Sequence, residues 1–198
     1  KDVFYMREHP TTSNSRVMIN WQAGEDATVI KRLKQSGAII VGQLNTFEFT
    51  FGGRPTFDAA FPPALNPWNI ERVTGGSSSG SGAAVAAGLC LGALGSDAGG
   101  SIRTPAAFCG IAGLKPTMGR ISTFGDMPLT YSFDCVGPMA WNAEDCSIML
   151  QALAGYDEKD PTSSKAPIPN YYKNLKSGVK GLKVGLIEHF YNNDWKAP

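Results

Sequence analysis

Histidine is almost absent: His9 and His189 are the only two in 198 residues. A Ser–His–acid triad would need one of them. His9 lies in polar REHPTT and His189 just beyond the last apolar run, neither a distinctive setting. A serine nucleophile is therefore expected to use another base, lysine being the known variant. Cysteine is scarce as well. The four, at 90, 109, 135 and 146, form no CxxC pair and sit mostly beside apolar residues, which reads as buried reduced thiols. No metal site and no organic cofactor is expected. No apolar run of about 18 residues occurs, so no membrane span is expected. No secretory leader is visible at the start, and the expected location is cytoplasmic. Neither G-x-x-x-x-G-K-[ST] nor G-x-G-x-x-G is present, which argues against a phosphate-binding loop. Charge of one sign is lacking too: 18 Lys and Arg against 17 Asp and Glu give a net +1. No nucleic-acid or membrane partner reached by charge alone is expected.

What is abundant is glycine, with 23 residues, and proline, with 13, so many turns are expected. Apolar residues make up 42% and charged residues 18%, enough for a sizeable core in one domain or part of a larger one. Asp26 is positioned to cap a helix carrying Val29, Ile30 and Leu33, with Gly37 ending it. AIIVG (38–42) reads as a buried strand. Residues 51–72 read as an ordered loop rich in Gly, Pro and aromatics. Ala83–Leu91 suits a helix pressed against a neighbour, followed by a strand near Ala93–Ser96. Residues 110–140 read as loops with short strands, and Asn142 can cap a helix through Ile148, Met149 and Leu153 that stops near Gly155. Residues 156–181 read as a surface linker, and LKVGLI (182–187) begins a further strand segment within 182–198. Strands alternating with helices indicate an α/β protein. The chain opens on Lys1 rather than methionine and ends soon after a new strand begins, so a core piece of a longer protein is expected.

Two stretches stand out. In GSDAGGSIRTPAAFCG (95–110) a glycine pair stands directly before Ser101. Paired glycines serve a backbone need, and one such need is to aim several N–H groups at one point, as an anion site or oxyanion hole requires. Ser101 alone could equally be a helix N-cap. GGSSSGSG (75–82) reads by composition as a flexible linker, or as a phosphate loop at a helix N-terminus. Gly76–Gly80 formally matches the G-x-S-x-G nucleophile elbow, a match that Gly/Ser-rich sequence produces easily.

The stretch GGSSSGSGAAVAAGLCLGALGSDAGGSIRTPAAFCGIAGLKPT (75–117) resembles the signature region of the amidase signature family. GQLNTFEFTFG and NPWNIERVTGGSS resemble the segment before it, FDCVGPMAWNAEDCSIML the segment after it, and KDVFYMREHPTTSNS the family's Lys-Asp segment. The likeness covers residues 1–155, with several motifs in the family's order. It implies the amidase signature fold, a mixed β-sheet core flanked by helices, here incomplete at both ends.

The resemblance also implies roles. Ser101 matches the family's nucleophile, Ser77 the bridging serine preceded by a cis peptide, and Lys1 the catalytic lysine. Gln43 stands where many members carry a different, non-catalytic lysine. N–H groups of Ala98, Gly99 and Gly100, with Ser101, are the candidate oxyanion donors, and Gly76 would reduce crowding at the cis peptide. Ser78 and Ser79 read as local hydrogen-bonders. Asp97 reads as a structural acceptor shaping the turn. Arg103 reads either as its partner or as a contact for a substrate carboxylate. Phe47, Phe49, Phe51, Tyr131 and Phe133 could line an acyl pocket or pack the core. The implied activity is hydrolysis of a carboxylic amide, a small molecule, through a seryl ester, by a protein that could form homo-oligomers. Two alternatives stay open. One is the A subunit of a glutamine-dependent tRNA amidotransferase, from which the segment Thr46–Leu65 departs. The other is a truncated, non-catalytic amidase domain.

Overall fold

The computed structural model describes residues 1–51 and 59–185. Five helices and three strands position the site: α1 (Thr28–Gln35), α2 (Ser79–Ala86), β1 (Gly92–Asp97), α3 (Arg103–Cys109), β2 (Ala112–Gly113), β3 (Cys135–Ala140), α4 (Ala143–Leu153) and α5 (Tyr171–Asn174). The sheet runs β1-β3-β2, and every pairing in it is antiparallel. Central β3 is buried along its length, as its apolar and small residues require. Its register sets Asp97 opposite Cys135 and Gly92 opposite Ala140.

Helix α1 forms where the apolar period falls, burying Val29 and Ile30, and the chain turns away at Ser36 and Gly37. Ala27, not Asp26, occupies the N-cap position. The Asp26 carboxylate instead accepts the Arg7 N–H at 2.8 Å and the Lys34 ammonium at 2.7 Å. Helix α4 begins as expected, with Asn142 Oδ1 accepting the Asp145 N–H at 2.9 Å. These helices close one core around Val3, Phe4, Val29, Leu94, Ile121, Val136 and Leu153. Ile102, Ala106 and Met139 form a second core beneath α3.

Three expectations change. Helix α2 starts at Ser79 and ends at Ala86 rather than spanning Ala83–Leu91, and Leu89 and Leu91 are exposed. AIIVG forms no strand among the described residues, with Ile39 and Val41 facing solvent, because a strand exists only with a partner to take its N–H and C=O groups. Leu182–Gly185 is irregular, and residues 186–187 lie outside the described residues, as do His189 and 52–58 of the loop segment. The stretch after α4 is tied down in part: buried Asp160 accepts from the Thr123 N–H at 2.7 Å and the Thr162 N–H at 2.8 Å. All four cysteines are free, three of them buried.

Candidate active site

Lys1 and Ser77, 76 positions apart in the chain, meet in the interior of the fold. The Lys1 side chain donates from Nζ to Ser77 Oγ at 2.8 Å and to Ser96 Oγ at 2.8 Å, with the Ser96 carbonyl at 3.5 Å. Both Lys1 and Ser77 are buried. Lys1 is held by its main chain as well, its backbone nitrogen donating to the Leu94 carbonyl of β1 at 3.2 Å and the Asp2 N–H to the Leu44 carbonyl at 2.7 Å.

The serine-rich stretch is held because each of its four serine hydroxyls finds a partner. The Gly76–Ser77 peptide is cis. The Ser77 carbonyl accepts from the Phe47 N–H at 3.1 Å and the Thr46 hydroxyl at 3.0 Å. The Ser78 N–H donates to the Ser101 carbonyl at 3.2 Å, which sets the Ser77 segment against the turn that carries Ser101. The Ser78 hydroxyl reaches the Ser96 carbonyl, the Ser79 hydroxyl the Asn45 carbonyl and the Ser81 hydroxyl the Leu94 carbonyl. These hydroxyls tie α2 to β1 and to the 45–47 segment. Gly80 allows the approach: a Cβ there would stand 2.4 Å from the Asn45 backbone nitrogen.

Ser101 lies half-buried at the end of the turn from β1 into α3. Asp97 organises that turn. Its carboxylate accepts the N–H groups of Gly100 (2.7 Å), Ile102 (3.0 Å) and Arg103 (3.3 Å). The Arg103 guanidinium adds a two-pronged contact at 3.0 and 2.9 Å. Burial alone would raise the Asp97 carboxyl, but the hydrogen bonds from Arg103, Ile102 and Gly100 outweigh it and hold the group below the ordinary carboxylate range. Arg103 is thus paired with Asp97, while its side chain remains exposed. Gly100 differs from expectation. Its N–H, a candidate oxyanion donor, points to Asp97, and its φ of +133° is one that favours glycine. The N–H groups of Ala98, Gly99 and Ser101 have no backbone or side-chain acceptor among the described residues.

Burial pushes the Lys1 ammonium down to about 8, while the carboxylates of Asp126, Asp134 and Asp97 act in the opposite sense. This buried lysine, hydrogen-bonded to hydroxyls rather than paired with an acid, is suited to accept a proton. Ser96 belongs to the arrangement and escaped the sequence reading, because a single hydroxyl on a strand carries no pattern. Gln43 sits apart, its side-chain nitrogen 3.5 Å from Thr11 Oγ1. Of the aromatics considered, Phe47 is buried, whereas Phe51, Tyr131 and Phe133 are largely exposed. His9 is exposed and takes part in none of these contacts. Among the described residues no cluster of three or more His, Cys, Asp or Glu is placed to hold a metal, and no helix is long and apolar enough to cross a membrane.

Comparison with known proteins agrees with this architecture. The chain is 48% identical over 191 residues to the A subunit of the glutamyl-tRNA(Gln) amidotransferase from Syntrophobacter fumaroxidans, covering 96% of this chain and 39% of that one. It is 49% identical over 181 residues to the protein of the same name from Moorella thermoacetica, covering 91% of this chain and 37% of that one. The crystal structure of the corresponding Thermotoga maritima protein superposes with a TM-score of 0.87 at 41% identity, over 91% of this chain and 40% of that one. The peptide amidase of Stenotrophomonas maltophilia superposes with a TM-score of 0.77 at 35% identity, over 87% of this chain and 36% of that one. The chain thus spans about 40% of the length of such relatives. The Amidase family model matches residues 1–197, and the chain belongs to the amidase signature family.

Proposed function

We propose that the protein hydrolyses a small carboxylic amide through an ester on Ser101, with Ser77 and Lys1 as the proton relay. The observation that carries this reading is the hydrogen bond from Lys1 Nζ to Ser77 Oγ at 2.8 Å, buried beside the Ser101 turn. In the first step Ser101 Oγ bonds to the amide carbon while its proton passes by way of Ser77, a hydroxyl able to donate and accept at once, to neutral Lys1. The tetrahedral oxyanion is held by the N–H groups of Ala98, Gly99 and Ser101. The relay returns the proton to the nitrogen, the C–N bond breaks, and ammonia or an amine leaves. Water then attacks the ester, giving its proton to the same relay and restoring Ser101. An ordinary lysine, at about 10.4, would be charged at neutral pH and useless as a base, so burial of Lys1 is what equips it.

A second reading, that the protein is the A subunit of an amidotransferase with glutamine as amide donor, is favoured by relatives 47–49% identical that carry that name. The two readings share the chemistry at Ser101 and part over the substrate. Purified full-length protein is assayed for ammonia release from glutamine and from simple amides. Release from simple amides, abolished by Ser101→Ala, supports the first. Release from glutamine alone, and only with partner proteins, supports the second. No turnover of either, with the fold intact, supports a non-catalytic domain.

A further inference from the structure

The Ser77 hydroxyl meets Lys1 Nζ at 2.8 Å, but a serine side chain turns about a single bond among a few staggered positions. Where its oxygen stands is therefore decided by where the Ser77 main chain stands. One short stretch fixes that main chain. The Thr46 hydroxyl donates to the Ser77 carbonyl at 3.0 Å, and the Phe47 N–H donates to the same oxygen at 3.1 Å. Two donors thus occupy both lone pairs of one carbonyl. The Phe47 ring fixes the residue before it. A Cβ on Gly76 would lie 2.3 Å from Phe47 Cζ, so the ring tip fills the space that a side chain at 76 would need. Thr46 and Phe47 are both buried.

This stretch is anchored in turn to the segment that carries Lys1. Buried Asn14 donates from Nδ2 to the Thr46 carbonyl at 2.8 Å and to Asn45 Oδ1 at 3.2 Å. The Asn14 N–H donates to Thr12 Oγ1 at 3.0 Å. The Asp2 carboxylate accepts the N–H of Thr12 at 2.9 Å and its hydroxyl as well. Asp2 directly follows Lys1 in the chain. A continuous run of hydrogen bonds therefore leads from the residue beside the lysine, through Thr12, Asn14 and Thr46, to the carbonyl of the serine that the lysine binds. The Lys1–Ser77 contact closes this run into a ring.

We propose that Thr46 and Phe47 are positioning residues for the relay: they set the Ser77 main chain so that its hydroxyl stays within hydrogen-bond reach of Lys1. This rests on the reading of Ser77 and Lys1 as the proton relay for Ser101. Lys1 Nζ bonds to neither side chain, so the two act on where Ser77 Oγ stands and not on the proton itself. A relay passes a proton only while donor and acceptor stay in contact, so a small displacement of its middle member costs a large factor in rate. The two residues act through different atoms. Thr46 acts through a hydroxyl, which only serine could replace without losing the donor. Phe47 acts through its N–H and through the reach of its ring over Gly76.

The test is saturation labelling of Ser101 by a fluorophosphonate in the full-length protein, which separates the maximal rate from the half-saturating concentration. Thr46→Val keeps the volume and removes the hydroxyl. Its maximal rate is expected to fall about tenfold or more at an unchanged half-saturating concentration, while Thr46→Ser labels at nearly the wild-type rate. In a Ser77→Ala background Thr46→Val should cost nothing further, because its effect runs through Ser77. A folded Thr46→Val variant with the wild-type rate, a Thr46→Ser variant as slow as Thr46→Val, or the same loss repeated in the Ser77→Ala background overturns this proposal alone. Labelling of Ser77→Ala at the wild-type rate overturns the relay instead. Should Thr46→Val fail to fold, Phe47→Leu decides, since it withdraws the ring tip from Gly76 and keeps the N–H. A slowed maximal rate that disappears as an effect in the Ser77→Ala background supports the proposal, and a wild-type rate overturns it.

Discussion

Lys1 Nζ lies 2.8 Å from the hydroxyl of Ser77 and 2.8 Å from that of Ser96, and no carboxylate stands within ion-pair distance of it among the described residues. A buried ammonium held only by neutral hydroxyls gains little against its desolvation, so the amine form is favoured. A lysine with this lowered value is charged below it and neutral above it.

The pH dependence of acylation follows. With Lys1 brought down to about 8, the rate should rise about tenfold per pH unit through the acid range and level off above that value. Lys1→Arg holds its charge at every accessible pH and should cost roughly a thousandfold without restoring the limb. Burst kinetics on full-length protein read both.

Ser77 and Ser96 contact the same ammonium but should not be equivalent. Ser77→Ala breaks the relay and is expected to cost about 10²–10⁴ in kcat. Ser96→Ala removes one acceptor from Lys1, an effect of about 1 kcal/mol, so a roughly fivefold loss is expected. Steady-state assays of the two variants side by side separate a proton carrier from a support.

Asp97→Asn tests the turn. The carboxylate takes three backbone N–H groups and the Arg103 guanidinium, so the change should destabilise the fold by about 2 kcal/mol and disturb the Ser101 turn. Because its folded-state pKa is depressed, the contribution of Asp97 is complete above the unfolded carboxylate value, about 3.9, and is lost as pH falls through the folded one. Urea midpoints should therefore converge for wild type and variant in strong acid and separate above it.

Gly80→Ala reports on the approach of α2 to the 45–47 segment. Its Cβ would stand 2.4 Å from the Asn45 nitrogen and 2.8 Å from the Asn45 carbonyl oxygen, both main-chain atoms. Separating them costs about 1–3 kcal/mol and should loosen Ser77, so thermal midpoint and labelling rate should fall together.

The parts of the fold that depend on local pattern are legible in the sequence. Helices α1 and α4 are set by apolar spacing and, in α4, by the Asn142 cap, and both are readable. Helix α2 lies elsewhere than expected because serine and glycine give it no apolar period; hydroxyl bonds to residues far along the chain fix it instead. AIIVG has strand composition, yet pairing depends on what lies beside it, which no local stretch encodes. The assignments of Ser101, Ser77 and Lys1 come through resemblance, since residues as far apart in the chain as Lys1 and Ser77 leave no spacing to read. Gly100 departs from its expected role because an N–H can serve either an oxyanion or the carboxylate three residues before it, and composition does not say which. Ser96 becomes visible only once its neighbours are known.

The central claim is an activated Ser101 served by Ser77 and Lys1. Its most direct test is fluorophosphonate labelling of the full-length protein, with the modified peptide mapped by mass spectrometry. The account predicts a single adduct on Ser101, lost in Ser101→Ala and strongly slowed in Ser77→Ala and Lys1→Met. An adduct on Ser78 instead, or labelling that survives Ser101→Ala, would contradict it.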